Sequence, residues 1–441
     1  MWFLIFTLAL LLIRILFVPF ALLHELLASR RQRNGNLGVL PDQPSVSVVV
    51  PAHNEETVLE SCVSSIVGAG YEKMEVIIVD DGSKDRTREI GEELERTYPQ
   101  VRYIYQDNAG KGAALNHGYR ESSGEFLMFI DSDSVFTPET VPEMLKAFHN
   151  DRVGAVCGDD RPVNLNRVLT RFLALITHVG TGLVRRAFDI LRVVPVISGN
   201  CGTFRRSCLD QIAQREPGHP LREDTIGEDL DLTWQIHETD WRITFAPRAL
   251  VYAESPSSIK ALWKQRVRWA RGLIQGFKYH WRAMFTLKYG SFGPYLWFAA
   301  MTMLLVPVLQ VVLLVVAVFE LPTADFSIWG IILGSGLVLS FVLLVIAMAM
   351  SNSLGDLRHV WTLPVWPVYS LLMSFTMISA MQKEITNAEQ VWNKPERTGV
   401  ISQKNITVSK PKAIASVANN VGLEQYVHNW PKTTRSPRIS H

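Results

Sequence analysis

Charge is nearly absent from two long stretches of this 441-residue chain: residues 293–381 hold only Glu320, Asp325, Asp356 and Arg358, and the first 28 hold only Arg14 and Glu25. A helix of about 20 apolar residues crosses the ~30 Å hydrocarbon core of a bilayer. Both ends are therefore expected in the membrane, with a water-soluble domain between them. Arg14 falls in mid-membrane, where a charge is expensive unless it faces protein, faces a watery path or snorkels to the interface. The formal net charge of +2, from 44 basic and 42 acidic side chains, excludes a nucleic-acid binder working through overall charge. Cys62, Cys157, Cys201 and Cys208 form neither a CxxC pair nor a disulfide framework, as expected of reduced, cytosolic thiols.

These patterns divide the chain. Residues 1–28 read as a membrane helix. A cleaved signal peptide competes, but it would carry a basic leader and a shorter apolar run. Residues 29–44 are a basic linker whose Arg30, Arg31 and Arg33 hold the middle of the chain on the cytoplasmic side. Residues 45–255 form a soluble domain and 256–290 a basic amphipathic helix. Residues 291–381 form a membrane region with apolar stretches at about 294–319, 326–350 and 360–381. The tail, 382–441, carries nine Lys/Arg against four Asp/Glu and is expected in the cytoplasm. Three crossings would place it outside, so one stretch is expected to lie in the interface or re-enter, with Pro364 and Pro367 marking the last. Residues 165–190, broken by Arg167, Arg171, His178, Arg185 and Arg186, read as an amphipathic helix beside the bilayer.

From Val46 to about Phe245, short β-branched runs alternate with helical patterns, which predicts an α/β fold with a mostly parallel sheet and helices on both faces. Ligands bind such sheets at the carboxyl ends of the strands. The first strand ends in Pro51, His53, Asn54 and Glu55, the second in Asp80-Asp81 and the fourth in Asp131-Ser132-Asp133. Acids at neighbouring strand ends repel unless a cation or hydrogen-bond donors share the crevice. Asp131 and Asp133 have the spacing to reach one hard divalent ion, whereas Asp85 has the look of a helix cap.

Gly110-Lys111-Gly112 lacks P-loop spacing and no GxGxxG follows the first strand, so ATP hydrolysis and dinucleotide binding are poorly supported. Lys111 can still neutralise a phosphate at a helix start, or simply be a solvated lysine. Val196 to Gly202 predicts a strand entering a small-residue turn, Ser198-Gly199, where backbone can approach a ligand. Glu228, Asp229 and Asp231 open a helix, as dipole complements or, for one of them, as a general base. Residues 257–282 hold seven Lys/Arg and no acid beside a helical apolar stripe, the pattern of a helix lying on an anionic membrane face. Within it, Gln265-Arg266-Val267-Arg268-Trp269 offers arginine forks for phosphate and an indole to stack on a sugar.

In order and spacing, Asp80-Asp81, Asp131-Ser132-Asp133, Gly227-Glu228-Asp229 and Gln265-Arg266-Val267-Arg268-Trp269 resemble the processive family 2 glycosyltransferases: cellulose, chitin and hyaluronan synthases and, most closely, bacterial poly-β-1,6-N-acetylglucosamine synthases. The likeness covers roughly residues 45–290. It implies a GT-A (Rossmann-like) nucleotide-sugar fold, an inverting reaction, and a UDP-sugar donor held through Mg²⁺ or Mn²⁺. It places Asp80 and Asp81 at the uridine, Asp133 with Asp131 on the metal, and Asp229, beside Glu228, as the base for the acceptor hydroxyl. Gln265, Arg266, Arg268 and Trp269 then hold the diphosphate and the acceptor end, with Pro51, Asn54, Glu55, Lys111, Ser198 and Gly199 lining the substrate site. A UDP-sugar, a growing polysaccharide and the lipid bilayer are the partners implied, an accessory membrane subunit is left open, and nucleic acid is not among them. The chain departs from several relatives in showing one N-terminal membrane helix rather than two. Two other functions stay open: an enzyme adding one sugar to a lipid, and a non-catalytic subunit that binds nucleotide-sugar or polymer.

Overall fold

The computed structural model describes residues 12–215, 218–320 and 326–388, together with Ile5 and Leu8. The short turn expected at 321–325 and most of the polar tail lie outside the described residues.

Among the described residues, eight strands form one sheet: β1 Val46–Ala52, β2 Met74–Asp81, β3 Val101–Gln106, β4 Phe126–Phe129, β5 Val135–Phe136, β6 Val153–Pro162, β7 Gly202–Arg205 and β8 Arg242–Ala253. Their spatial order is β3-β2-β1-β4-β7-β6-β8-β5. The helices are α1 Leu12–Arg33, α2 Leu59–Gly68, α3 Thr87–Thr97, α4 Lys111–Glu121, α5 Thr140–Ala147, α6 Val168–Ile190, α7 Arg206–Ala213, α8 Glu228–His237, α9 Ile259–His280, α10 Phe292–Phe319, α11 Phe326–Met350 and α12 Trp366–Ile385. A 3₁₀ stretch, Leu354–Val365, leads into α12.

The expected α/β alternation is present. β1 lies between two parallel partners, β2 and β4, and every one of its residues is buried, which is why its run Val46-Ser47-Val48-Val49-Val50 is almost wholly apolar. Among the described residues four of the seven strand pairings are parallel, as expected, and three short ones are antiparallel. β7 runs antiparallel to both β4 and β6, and β5 runs antiparallel to β8. The strand expected at 196–202 is displaced: β7 begins only at Gly202. The preceding segment is held elsewhere, Ile197 N–H donating to Thr233 Oγ1 of α8 at 2.9 Å, and it closes in a turn in which Cys201 N–H donates to Ser198 O at 3.0 Å.

Among the described residues, five helices are long and apolar enough to cross a membrane: Leu12–Arg33, Val168–Ile190, Phe292–Phe319, Gly330–Met350 and Leu354–Ile385. Four match the apolar stretches read from the sequence. The fifth, α6, has half of its most apolar window buried in protein. Its arginines are paired: Arg185 contacts Asp160 of β6 at 2.7 Å and Arg186 contacts Glu25 of α1 at 2.5 Å. Arg14 likewise faces protein, its guanidinium 4.7 Å from the Trp366 ring centre, beside Leu175 and Leu344.

Candidate active site

The carboxyl ends of β1, β2 and β4 carry the acids, in two groups. At β2, Asp80 and Asp81 are almost wholly buried, and their oxygens are occupied by the protein itself. Asp80 accepts from Tyr103 Oη at 2.7 Å and Ser83 N–H at 2.9 Å. Burial and this carboxylate together raise the Tyr103 phenol above its ordinary range. Asp81 accepts from Gln106 Nε2 and Ala109 N–H, both at 2.8 Å, and from Gly110 N–H at 2.9 Å. It thus fixes the loop that delivers α4. Pro51 is a buried residue of β1, and Asn54 turns the chain with a φ of 52° while its Oδ1 accepts from Lys84 N–H at 2.8 Å. Glu55 is buried and its N–H donates to Thr87 Oγ1 at 2.7 Å. Asp85 does local turn chemistry just before α3, its Oδ1 accepting from Thr87 N–H at 3.0 Å, while the helix cap itself falls on Arg86.

The second group gathers around Lys111, the first residue of α4. Its Nζ lies 2.7 Å from Asp131 Oδ1 and 2.8 Å from Glu228 Oε1. Burial alone would lower this ammonium's pKa, but Asp131, Glu228 and Asp229 raise it above the ordinary lysine range. Lys111 is therefore an internal counter-ion rather than a solvated loop residue. Gly199 makes this possible: a Cβ there would stand 2.7 Å from Lys111 Nζ and 3.5 Å from Asp131 Oδ2. Its carbonyl accepts from Asp131 N–H at 3.1 Å, tying the Ser198-Gly199 turn to the end of β4.

Asp229 is half-buried in the first turn of α8. Desolvation and the neighbouring Glu228 lift its pKa to about 6. Lys111 and Arg268 oppose that rise, which brings Arg268 of α9 into the same field. Asp133 is buried beside Cys62 and Ser134.

The turn before α8 is seated on α9. A Cβ on Gly227 would meet Gly272 Cα at 2.8 Å, and one on Gly272 would meet Gly227 Cα at 2.9 Å, so two backbones touch where only glycine fits. Within the Gln265–Trp269 run, Gln265 Oε1, Arg266 Nε and Arg268 Nε are buried without a hydrogen-bond partner among the described residues. Buried donors and acceptors of this kind are costly unless something satisfies them. Arg266 lies over the half-exposed indole of Trp269, 4.1 Å from its ring centre.

Lys111, Asp131, Gly199, Glu228, Asp229 and Arg268 thus converge, while Asn54, Asp80 and Asp81 form the neighbouring cluster at β2. Gly272 and His280 gave no sequence signal of their own, although Gly272 and Gly276 at a four-residue spacing on α9 mark a face built for close approach. His280 Nε2 contacts Asp231 at 3.1 Å and its Nδ1 contacts Glu238 at 2.9 Å, clamping α8 to the end of α9.

Among the described residues, no three His, Cys, Asp or Glu side chains converge as a metal cage. The carboxylates of Asp131 and Asp133 still suit a hard cation, because Mg²⁺ is commonly held by one or two carboxylates and completed by substrate phosphates.

This sheet, with acids at its strand ends and a half-buried aspartate opening α8, fits a glycosyltransferase domain of GT-A fold, which the comparisons with known proteins support. Residues 47–213 match the model of glycosyl transferase family 2. Poly-beta-1,6-N-acetyl-D-glucosamine synthase of Staphylococcus epidermidis is 32% identical over 228 residues, covering 52% of this chain and 54% of that protein. The synthase of the same name from Staphylococcus aureus (strain COL) is 29% identical over the same shares. The chain therefore spans about half the length of these curated relatives. A mannosyltransferase from Pyrobaculum calidifontis, solved in complex with GDP-Man and Mn²⁺, shares the fold with a TM-score of 0.55 at 20% identity, over 87% of this chain and 100% of that one.

Proposed function

We propose that this chain is a membrane-bound, inverting, processive glycosyltransferase that polymerises UDP-N-acetylglucosamine into a β-linked polysaccharide, works from the cytoplasmic face, and passes the product along its own apolar helices. The observation that carries the reading is the setting of Asp229: a carboxylate held near pKa 6 on a helix start, next to a cation-bridged acid pair and an arginine with an unsatisfied buried Nε. Such a group is ionised at neutral pH yet basic enough to accept a proton in the transition state.

In the proposed reaction the acceptor hydroxyl oxygen bonds to the anomeric carbon as the bond from that carbon to the diphosphate oxygen breaks. Asp229 takes the hydroxyl proton, and UDP leaves with the bonding electrons. Lys111, Arg266 and Arg268 stabilise the charge that grows on the diphosphate, and Trp269 offers a face for the acceptor sugar. Asp131 and Asp133 would hold Mg²⁺ or Mn²⁺, which when bound neutralises diphosphate charge. Asp80, Asp81 and Asn54 shape the nucleoside end, where Asp81 sets the loop over it.

The test is turnover of purified protein with a panel of labelled UDP-sugars, followed by sizing of the product. Polymer from UDP-N-acetylglucosamine is expected. A lipid carrying a single sugar would assign the one-sugar transferase instead, and no UDP release with any donor would assign a non-catalytic binding subunit.

A further inference from the structure

The start of α8 is tied to the last described membrane helix through side chains outside the motifs that define the site. Gln275, almost wholly buried on α9, is used at both ends of its amide. Its Oε1 accepts from Thr225 Oγ1 at 2.8 Å and from Ile226 N–H at 3.1 Å. Its Nε2 donates to Glu384 Oε1 at 3.2 Å, on α12. The same carboxylate oxygen accepts from Arg271 Nε at 2.5 Å, and Arg271 Nη2 donates to Ala388 O at 2.7 Å. Thr225 Oγ1 in turn accepts from Gly227 N–H at 3.1 Å, one residue before Glu228. With two donors facing its oxygen and a carboxylate facing its nitrogen, the amide has a single satisfying orientation.

We propose that Gln275, with Arg271 and Glu384, is a positioning relay: it sets the Thr225–Gly227 turn, and through it the place of Asp229, according to how α12 is seated on α9. The packing supports rigid transmission. Val267 and Ala270 of α9 form a buried cluster with Met377 and Ala380 of α12, and the Gly227–Gly272 contact leaves no slack on the other side of the helix. The membrane helix against which a polymer would move is thereby joined to the base that extends that polymer. This inference rests on the assignment of Asp229 as base.

The experiment uses the full chain in lipid nanodiscs, with UDP as the binding probe, and compares wild type with Gln275→Leu, Thr225→Val, Glu384→Gln and Asp229→Asn. Gln275→Leu is expected to lower kcat about 100-fold, the scale of a 1 Å misplacement, with donor KM and UDP Kd changed less than about twofold. Its residual kcat should also lose the acid limb near pH 6, shifting it downward as water reaches Asp229, which general damage would not do. Thr225→Val should act in the same direction and carries the test if Gln275→Leu does not fold. Glu384→Gln keeps an acceptor for Arg271 and should stay within about threefold of wild type, as a positioning role predicts. Wild-type kcat in both relay variants, beside an inactive Asp229→Asn, overturns the relay alone. So does a parallel loss of UDP affinity and kcat with an unchanged pH profile. Wild-type turnover by Asp229→Asn overturns the base assignment on which the relay acts.

Discussion

Asp229 and Lys111 show how far single residues can be read. A run of acids in the sequence is compatible with caps, dipole complements or catalysis; burial beside Glu228 is what separates Asp229 from Asp85. Its raised pKa gives a signed expectation. The base form is lost as pH falls through about 6, so kcat/KM should decline below that value and stay level from about 7 upward, read from a pH–rate profile at saturating metal. Asp229→Asn should reduce turnover about 10²- to 10⁴-fold, the usual worth of a general base, with UDP binding retained by calorimetry. Gly199→Ala tests the other half of the site: its methyl would press on Lys111 Nζ, and an increase of about tenfold in donor KM, some 1.4 kcal/mol, is expected. The role of Gly199 was legible as a small-residue turn. That of Lys111 was not, because its partners come from β4 and α8, some twenty and more than a hundred residues away in the chain.

At the scale of elements, β1 to β4 were legible because each is a short run of β-branched or aromatic and other apolar residues closed by a turn, and α9 because its apolar stripe keeps helical spacing. β6 and β8 were not: Val153–Pro162 ends in Gly158-Asp159-Asp160-Arg161, and Arg242–Ala253 carries Arg248 and Pro247, so neither has a clean two-residue alternation. Their pairing in parallel, across a chain separation of about 90 residues, is a tertiary choice. The join between α8 and α9 was equally invisible. Burial alone would lower His280, but hydrogen bonds to Asp231 and Glu238 outweigh it and raise its pKa to about 9. Against an unfolded value of about 6.5, this stabilisation is full below about pH 6.5 and is lost as pH rises through about 9. The difference in unfolding midpoint between wild type and His280→Gln should accordingly be large at pH 6 and small at about pH 9.5. Gly227→Ala should cost about 1–3 kcal/mol, since the clash is with backbone that cannot swing away, measurable as a fall in the same midpoint.

For the whole molecule, the uneven placement of charge anticipated a polar domain flanked by apolar helices, and four of the five long apolar helices were read from it directly. The fifth, α6, was obscured by Arg185 and Arg186. Their ion pairs with Asp160 and Glu25 bring in residues from β6 and α1, which no local window contains. Those pairs, with Arg14 over Trp366, show charges in apolar helices turned toward protein, the arrangement that a lipid environment demands. Sidedness is testable on the intact molecule. Single cysteines placed at exposed Arg33 and Arg152, in a background lacking the native four, should react with a membrane-impermeant maleimide only in inverted vesicles.

Lys111 has one more consequence, for handling the protein. Because a covalently tethered cation already offsets part of the charge of Asp131 and Glu228, the cleft can hold its shape without an ion drawn from solution. Chelation should therefore extinguish turnover while lowering the unfolding temperature only by the small amount that loss of a bound ligand brings, and both should recover on adding Mg²⁺ or Mn²⁺. An enzyme wired this way tolerates metal scarcity as a pause in work rather than as damage.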